Sequence, residues 1–196
     1  MTDQPRTWRD EYQAPRRPHL HIVWRRFKGA IASEVFWNPQ RKTSELQRWL
    51  LLGIPLLWFV NIAFVFIGHA LGLRLGTDGD QVTELLGRNP LITLLAGAVF
   101  APLIEEFLFR VLPRAIGKVI HPAAKAMWPL AFAMNVLFAA AHINPENPTF
   151  PLPQFFSGLF FWFVQTRFGF LGGFAMHACF NGSLLMFLIL FQDSVR

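Results

Sequence analysis

Glu105, Glu106 and Arg110 stand inside an apolar run that extends from about Pro90 to about Leu112. No other feature limits the chain so strongly. An ionised side chain at the centre of a membrane helix costs on the order of 2.5–3.5 kcal/mol, even on the mildest scale. Three such groups in one short stretch cannot face lipid. They need partners and a protein interior or a water-filled cavity. Glu106 and Arg110 are four residues apart with the acid first, so they share a helical face and can pair. Glu105 lies about 100° further round the helix and is left without a local partner. It is expected to point into a bundle cavity and to meet a group from another span.

The wider sequence puts that run in a membrane. Only 15% of the 196 residues are charged, against about 25% in soluble domains. The apolar excess, with 22 Phe and 7 Trp, falls in long runs after residue 48. The expected spans are about Arg48–Leu73, Pro90–Leu112, Ala126–Ile143, Gln154–Gln165 and Gly169–Phe191. The fold class is therefore all-α, a polytopic membrane helix bundle of about five spans with a basic N-terminal segment. Residues 1–47 form that segment and residues 48–196 the transmembrane domain. Within the segment, residues 1–20 are polar and Pro-rich and are expected to be poorly ordered. Val23, Phe27, Ile31 and Val35 recur every fourth residue, which marks one face of a helix. That helix lies on the membrane surface or docks on the bundle. Pro102 should bend the second span. Asn61 and His69 are the polar members of the first, and helix–helix hydrogen bonding is the plain reading of both.

Net charge is +6, but ten of the 18 Lys and Arg precede residue 49. A basic flank beside a span points to an anionic membrane face rather than to nucleic acid. Counting Lys and Arg in alternate connections gives fourteen on the N-terminal side and three, Arg74, Arg88 and Arg196, on the other. The positive-inside rule then sets the N-terminus in the cytoplasm and the C-terminus outside, in a multi-pass cell-membrane protein. Cys179 is the only cysteine; it permits no internal disulfide and is expected to be a small buried residue. The expected partners are membrane lipid and a peptide or membrane-protein substrate. Oligomeric state is not legible.

Other spans carry candidate partners for Glu105. Phe138 and His142 are four apart near the end of the third run, and His177 and Asn181 are four apart in the fifth. A carboxylate beside an imidazole can activate water as a general base, and His with Asn can donate to an oxyanion. Glu105, His142, His177 and Asn181 together suit hydrolysis of an amide without a covalent intermediate. Other chemistry uses the same residue types. Glu105, His142 and His177 could ligate zinc, paired histidines could bind haem, and intramembrane acids with His could carry ions or protons. Packing alone could also account for the Glu106–Arg110 pair.

One geometric conflict arises. Straight parallel rods would leave His142 about 15–20 Å from Glu105 along the membrane normal. If the residues meet, then either residues 113–125 dip into the membrane or residues 143–153 fold back over a cavity.

Glu105-Glu106-Phe107-Leu108-Phe109-Arg110, Phe138-Ala139-Ala140-Ala141-His142 and His177-Ala178-Cys179-Phe180-Asn181 resemble, in this order, the EExxxR, FxxxH and HxxxN signatures of the CPBP family. These are the CAAX prenyl protease and bacteriocin-processing (Abi) intramembrane proteases. The resemblance covers about residues 85–191. It implies that Glu105 and His142 activate water, that His177 and Asn181 form the oxyanion hole, and that Glu106 and Arg110 support the site. It implies a glutamate-type endopeptidase needing no metal. The family also includes members linked to bacteriocin immunity and scaffolding.

Overall fold

The computed structural model describes residues 20–35, 38, 40–72, 79–120, 127–145 and 148–195. The expected disorder of residues 1–19, and Arg74, Lys125 and Arg196 of the charge count, lie outside these. Seven helices and no strand occur among the described residues: α1 (Leu20–Val35), α2 (Thr43–Ala70), α3 (Gly79–Arg88), α4 (Pro90–Ile120), α5 (Met127–Ala140), α6 (Leu152–Phe168) and α7 (Phe170–Val195). Asn89 caps α4, its side-chain oxygen accepting from the Ile92 amide, and Pro90 follows at the first turn, where a missing N–H costs nothing.

Among the described residues, three helices are long and apolar enough to cross a bilayer: Thr43–Ala70, Pro90–Ile120 and Phe170–Phe191. The other two expected spans are shorter, 14 residues in α5 and 17 in α6, against the ~20 that a crossing needs. α6 packs among α2, α5 and α7, and α5 lies against α4 and α6 with Trp128, Phe132 and Leu137 on the outer surface. Polarity is turned outside in. Only 11%, 17% and 22% of the three apolar windows are buried within the protein. Leu51, Leu52, Phe59, Phe66 and Leu190 lie on the outer surface, whereas Glu106, Arg110, Asn135, Gln165 and His177 are buried. A protein dissolved in lipid has no reason to hide Leu and every reason to hide Arg.

α4 explains how the site is levelled. It does not stop near Leu112 but continues to Ile120. α5 then returns beside it. Met127 and Leu130 lie against Gly117, Phe138 packs on Phe109, and His142 reaches Glu105. From Gly117 to Glu105 is about 18 Å of helix, and from Met127 to His142 about 22 Å of helix-equivalent rise. The two residues thus return to one height. The rod estimate failed because it ended the second helix eight residues early.

α4 also contains two wide π-type turns, Ala96–Phe100 and Phe107–Val111. Each ends just before a proline, Pro102 and Pro113. A proline ring collides with the carbonyl four residues back, here Ala98 and Phe109, and a widened turn at that point relieves the collision. Such turns cluster at functional sites.

α1 lies against the C-terminal part of α4, where Val23, Trp24 and Phe27 face Ile116, Val119 and Ile120 across an apolar groove. Arg25, Arg26 and Lys28 are exposed. The helix is therefore docked on the bundle while presenting cations outward. The side chain of Val35 lies outside the described residues. α6 and α7 pack tightly on α2 through Leu46, Leu57, Phe161, Val164, Phe168, Met176 and Phe180. Arg167 of α6 pairs with Glu45 of α2, and the Asn38 amide donates to the Phe168 carbonyl at 3.0 Å.

Candidate active site

The site is assembled on α4, α5 and α7. α4 supplies adjacent carboxylates with different surroundings. Glu106 is fully buried, whereas the Glu105 side chain is 21% exposed. Arg110 Nη1 lies 2.8 Å from Glu106 Oε1. The same oxygen lies 2.8 Å from His177 Nδ1. An ionised carboxylate only accepts, so the proton on this bond belongs to His177 Nδ1. Arg110 is held in turn by the Gly158 carbonyl, to which Nη2 donates at 3.3 Å. Its guanidinium lies 4.8 Å over the Phe138 ring and 5.5 Å over Phe161. A buried acid, a cation and an imidazole thus form one continuous chain, which offsets the cost of burying each.

With Nδ1 committed to Glu106, the Nε2 of His177 is left for Glu105, whose Oε2 lies 3.4 Å away. Phe161 stacks beneath the ring at 4.2 Å between centroids, fixing its plane. On α5, His142 Nδ1 lies 2.8 Å from the Phe138 carbonyl. A carbonyl accepts, so Nδ1 again bears the proton, and Nε2 presents its lone pair. That nitrogen lies 3.8 Å from Glu105 Oε1, too far for a direct hydrogen bond. Glu105 therefore stands between two imidazoles, each held by its far nitrogen. The 3.8 Å gap is one that a bridging water can occupy.

Asn181 is one turn beyond His177 on α7. Its Nδ2 donates to the Gly97 carbonyl at 3.1 Å. Gly97 lies in the first wide turn of α4, where the usual helical bonding is interrupted and a carbonyl can be spared. A primary amide has two hydrogens, so one remains. His142, His177 and Asn181 all line a cavity of about 420 Å³, bounded by α2, α4, α5, α6 and α7. Its remaining walls are mostly apolar, with Phe138, Phe161 and Leu184 among them.

The structure thus brings His142, His177 and Asn181 to one cavity, whose wall includes Phe138, with Glu105 against both imidazoles and Glu106 and Arg110 buried behind them. Reading the spacing alone paired Glu106 with Arg110 only; the bond from His177 to Glu106 was not foreseen, because periodicity on one helix says nothing about its neighbour. Gly97, Phe161 and Gly158 were also missed. Gly158 leaves room for close approach: a Cβ there would fall 2.3 Å from Asn135 Oδ1 and 2.9 Å from Phe138 Cδ1. Asn61 bonds across helices, donating to Ser157 Oγ at 3.1 Å, and His69 is exposed. Cys179, expected to be buried, is exposed. Two residues past His177 is about 200° around the helix, which carries it to the outer face. Among the described residues, no group of three His, Cys, Asp or Glu was found arranged as metal ligands.

No curated protein and no solved structure matches the chain. A family does: residues 87–183 match Type II CAAX prenyl endopeptidase Rce1-like. The matched segment contains both carboxylates, Arg110, both imidazoles and Asn181. The polar groups gathered within this membrane bundle thus lie in a segment that matches the Rce1-like family of CAAX-type membrane proteases.

Proposed function

We propose that this protein is an intramembrane endopeptidase in which Glu105 and His142 activate a water molecule for attack on a peptide carbonyl. The observation that carries the reading is the position of Glu105 between two imidazole Nε2 atoms, at 3.8 and 3.4 Å. A water in the first gap would give its proton to the Glu105 carboxylate or to the lone pair of His142 Nε2 as its oxygen bonds to the carbonyl carbon. The carbonyl π electrons move to the oxygen. The second N–H of Asn181 would then donate to that oxyanion, and His177 would join it from Nε2 as the imidazolium, its Nδ1–H still held by Glu106. The tetrahedral carbon collapses, the C–N bond breaks, and the captured proton passes to the leaving amine. Glu106, Arg110 and Phe138 are positioning residues: Glu106 orients the ring of His177, Arg110 balances Glu106, and the Phe138 carbonyl sets the tautomer of His142. No metal enters this scheme.

The family supports a prenylated CaaX peptide as the first substrate to try. A cytoplasmic N-terminus is supported by the charge count, fourteen Lys and Arg in the connections on the N-terminal side against three on the other. The test uses the full protein in phospholipid vesicles with an internally quenched farnesylated CaaX peptide. Wild type should cleave it with chelator present. Glu105→Gln, with unchanged folding, should be slower by about 10²–10⁴-fold. Cleavage at the wild-type rate by that variant refutes the assignment.

A further inference from the structure

We propose that Gln154, Ser157 and Asn61 form a subsite that grips the main chain of the peptide beside the hydrolytic centre. This rests on the endopeptidase reading and adds how substrate is held. All three residues line the cavity that contains His142, His177 and Asn181. Gln154 and Ser157 are three apart on α6, so they share a face.

Gln154 Oε1 is buried and has no hydrogen-bond partner. A lone buried acceptor is costly in a folded protein, and such an atom calls for an explanation. A substrate N–H would supply the missing donor. Ser157 is 3% exposed, and its Oγ accepts from Asn61 Nδ2 at 3.1 Å. Its own O–H is therefore left to donate. Asn61 is held in place by a second bond, from Nδ2 to the Leu57 carbonyl at 2.7 Å. The arrangement thus offers one acceptor and one donor on the same face. An extended peptide presents the complementary pair, a main-chain N–H and C=O, at every residue.

The remaining lining sharpens the assignment. The Trp58 indole N–H is already engaged, donating to Ser183 Oγ at 2.9 Å. Ile62, Val65 and Leu188 offer no polar atom on their side chains. No charged residue lines the cavity near Gln154, so a neutral amide fits better than an ionic group. Ser157 is one turn, about 6 Å, from Phe161, whose ring stacks on His177. An extended chain rises about 3.3 Å per residue, which puts the gripped unit roughly two residues from the bond cut. Asn61 belongs to α2, outside the matched residues 87–183, so this grip draws on a helix beyond the family segment.

The experiment uses the farnesylated CaaX peptide and a set of analogues, each N-methylated at one amide. Binding is read by fluorescence anisotropy on the Glu105→Gln protein, with and without Gln154→Leu, and cleavage is read on the otherwise wild-type protein. Leu keeps the volume, and Gln154 Oε1 has no bond to lose. One N-methyl position should weaken binding about fivefold to tenfold. Gln154→Leu should weaken it by a similar factor, and the two together should do little more than either alone. Ser157→Ala and Asn61→Ala should raise KM with kcat nearly unchanged. Penalties that multiply independently, or unaltered binding in all three variants, overturn the subsite. Cleavage without that coupling sinks the subsite and leaves the endopeptidase standing. Coupled binding without cleavage does the reverse, and a peptide that does not bind at all ends both.

Discussion

Arg110→Met tests whether the buried chain behind the site holds the fold together. The side chain of Arg110 is 1% exposed and its partner Glu106 is fully buried. Removing the cation strands an acid in a low-dielectric interior. Breaking a buried pair in this way costs about 3–5 kcal/mol. Here His177 still donates to Glu106, so the lower half of that range is expected. The lost donation to Gly158 and the lost contacts with Phe138 and Phe161 act in the same direction. At 1.4 kcal/mol per decade, about 3 kcal/mol shifts the unfolding equilibrium by roughly a hundredfold. The assay is reversible unfolding in mixed micelles, followed by tryptophan fluorescence. The informative partner is the double variant Arg110→Met with Glu106→Gln, which removes both charges. It should be more stable than the single variant, because no unpaired ion remains. Loss of under about 1 kcal/mol in the single variant, or no recovery in the double, would falsify the reasoning. Activity should fall in both, since His177 loses its orienting carboxylate or the charge that balances it.

Gly173→Ala attacks the same chain from behind: the new Cβ would lie 3.0 Å from Glu106 Oε2 and 2.8 Å from Gln165 Cβ. A destabilisation of about 1–3 kcal/mol is expected from overpacking, checked against Gly29→Ala, where a Cβ meets nothing and stability should hold or rise. Asn181→Ala should lower kcat by about 10²–10³ with KM little changed, as loss of an oxyanion donor does. Equal effects on KM and none on kcat would assign Asn181 to substrate binding instead.

The all-helical membrane character of the chain could be read from its sequence, because hydrocarbon imposes its rule residue by residue. Long apolar runs had to be helices, and Glu105, Glu106 and Arg110 had to turn inward. Spacing on a single helix also sufficed to pair Glu106 with Arg110 and to group His177 with Asn181. What lay between helices was not legible. That Glu106 is shared by Arg110 and His177, that Gly97 spares a carbonyl for Asn181, and that Phe161 underlies His177 depend on which faces meet. Those meetings follow from the length of α4, the shortness of α5 and the contact at Gly158. Local sequence fixes periodicity, but register between helices is set by the sum of many weak packing contacts, and only the assembled bundle contains that sum.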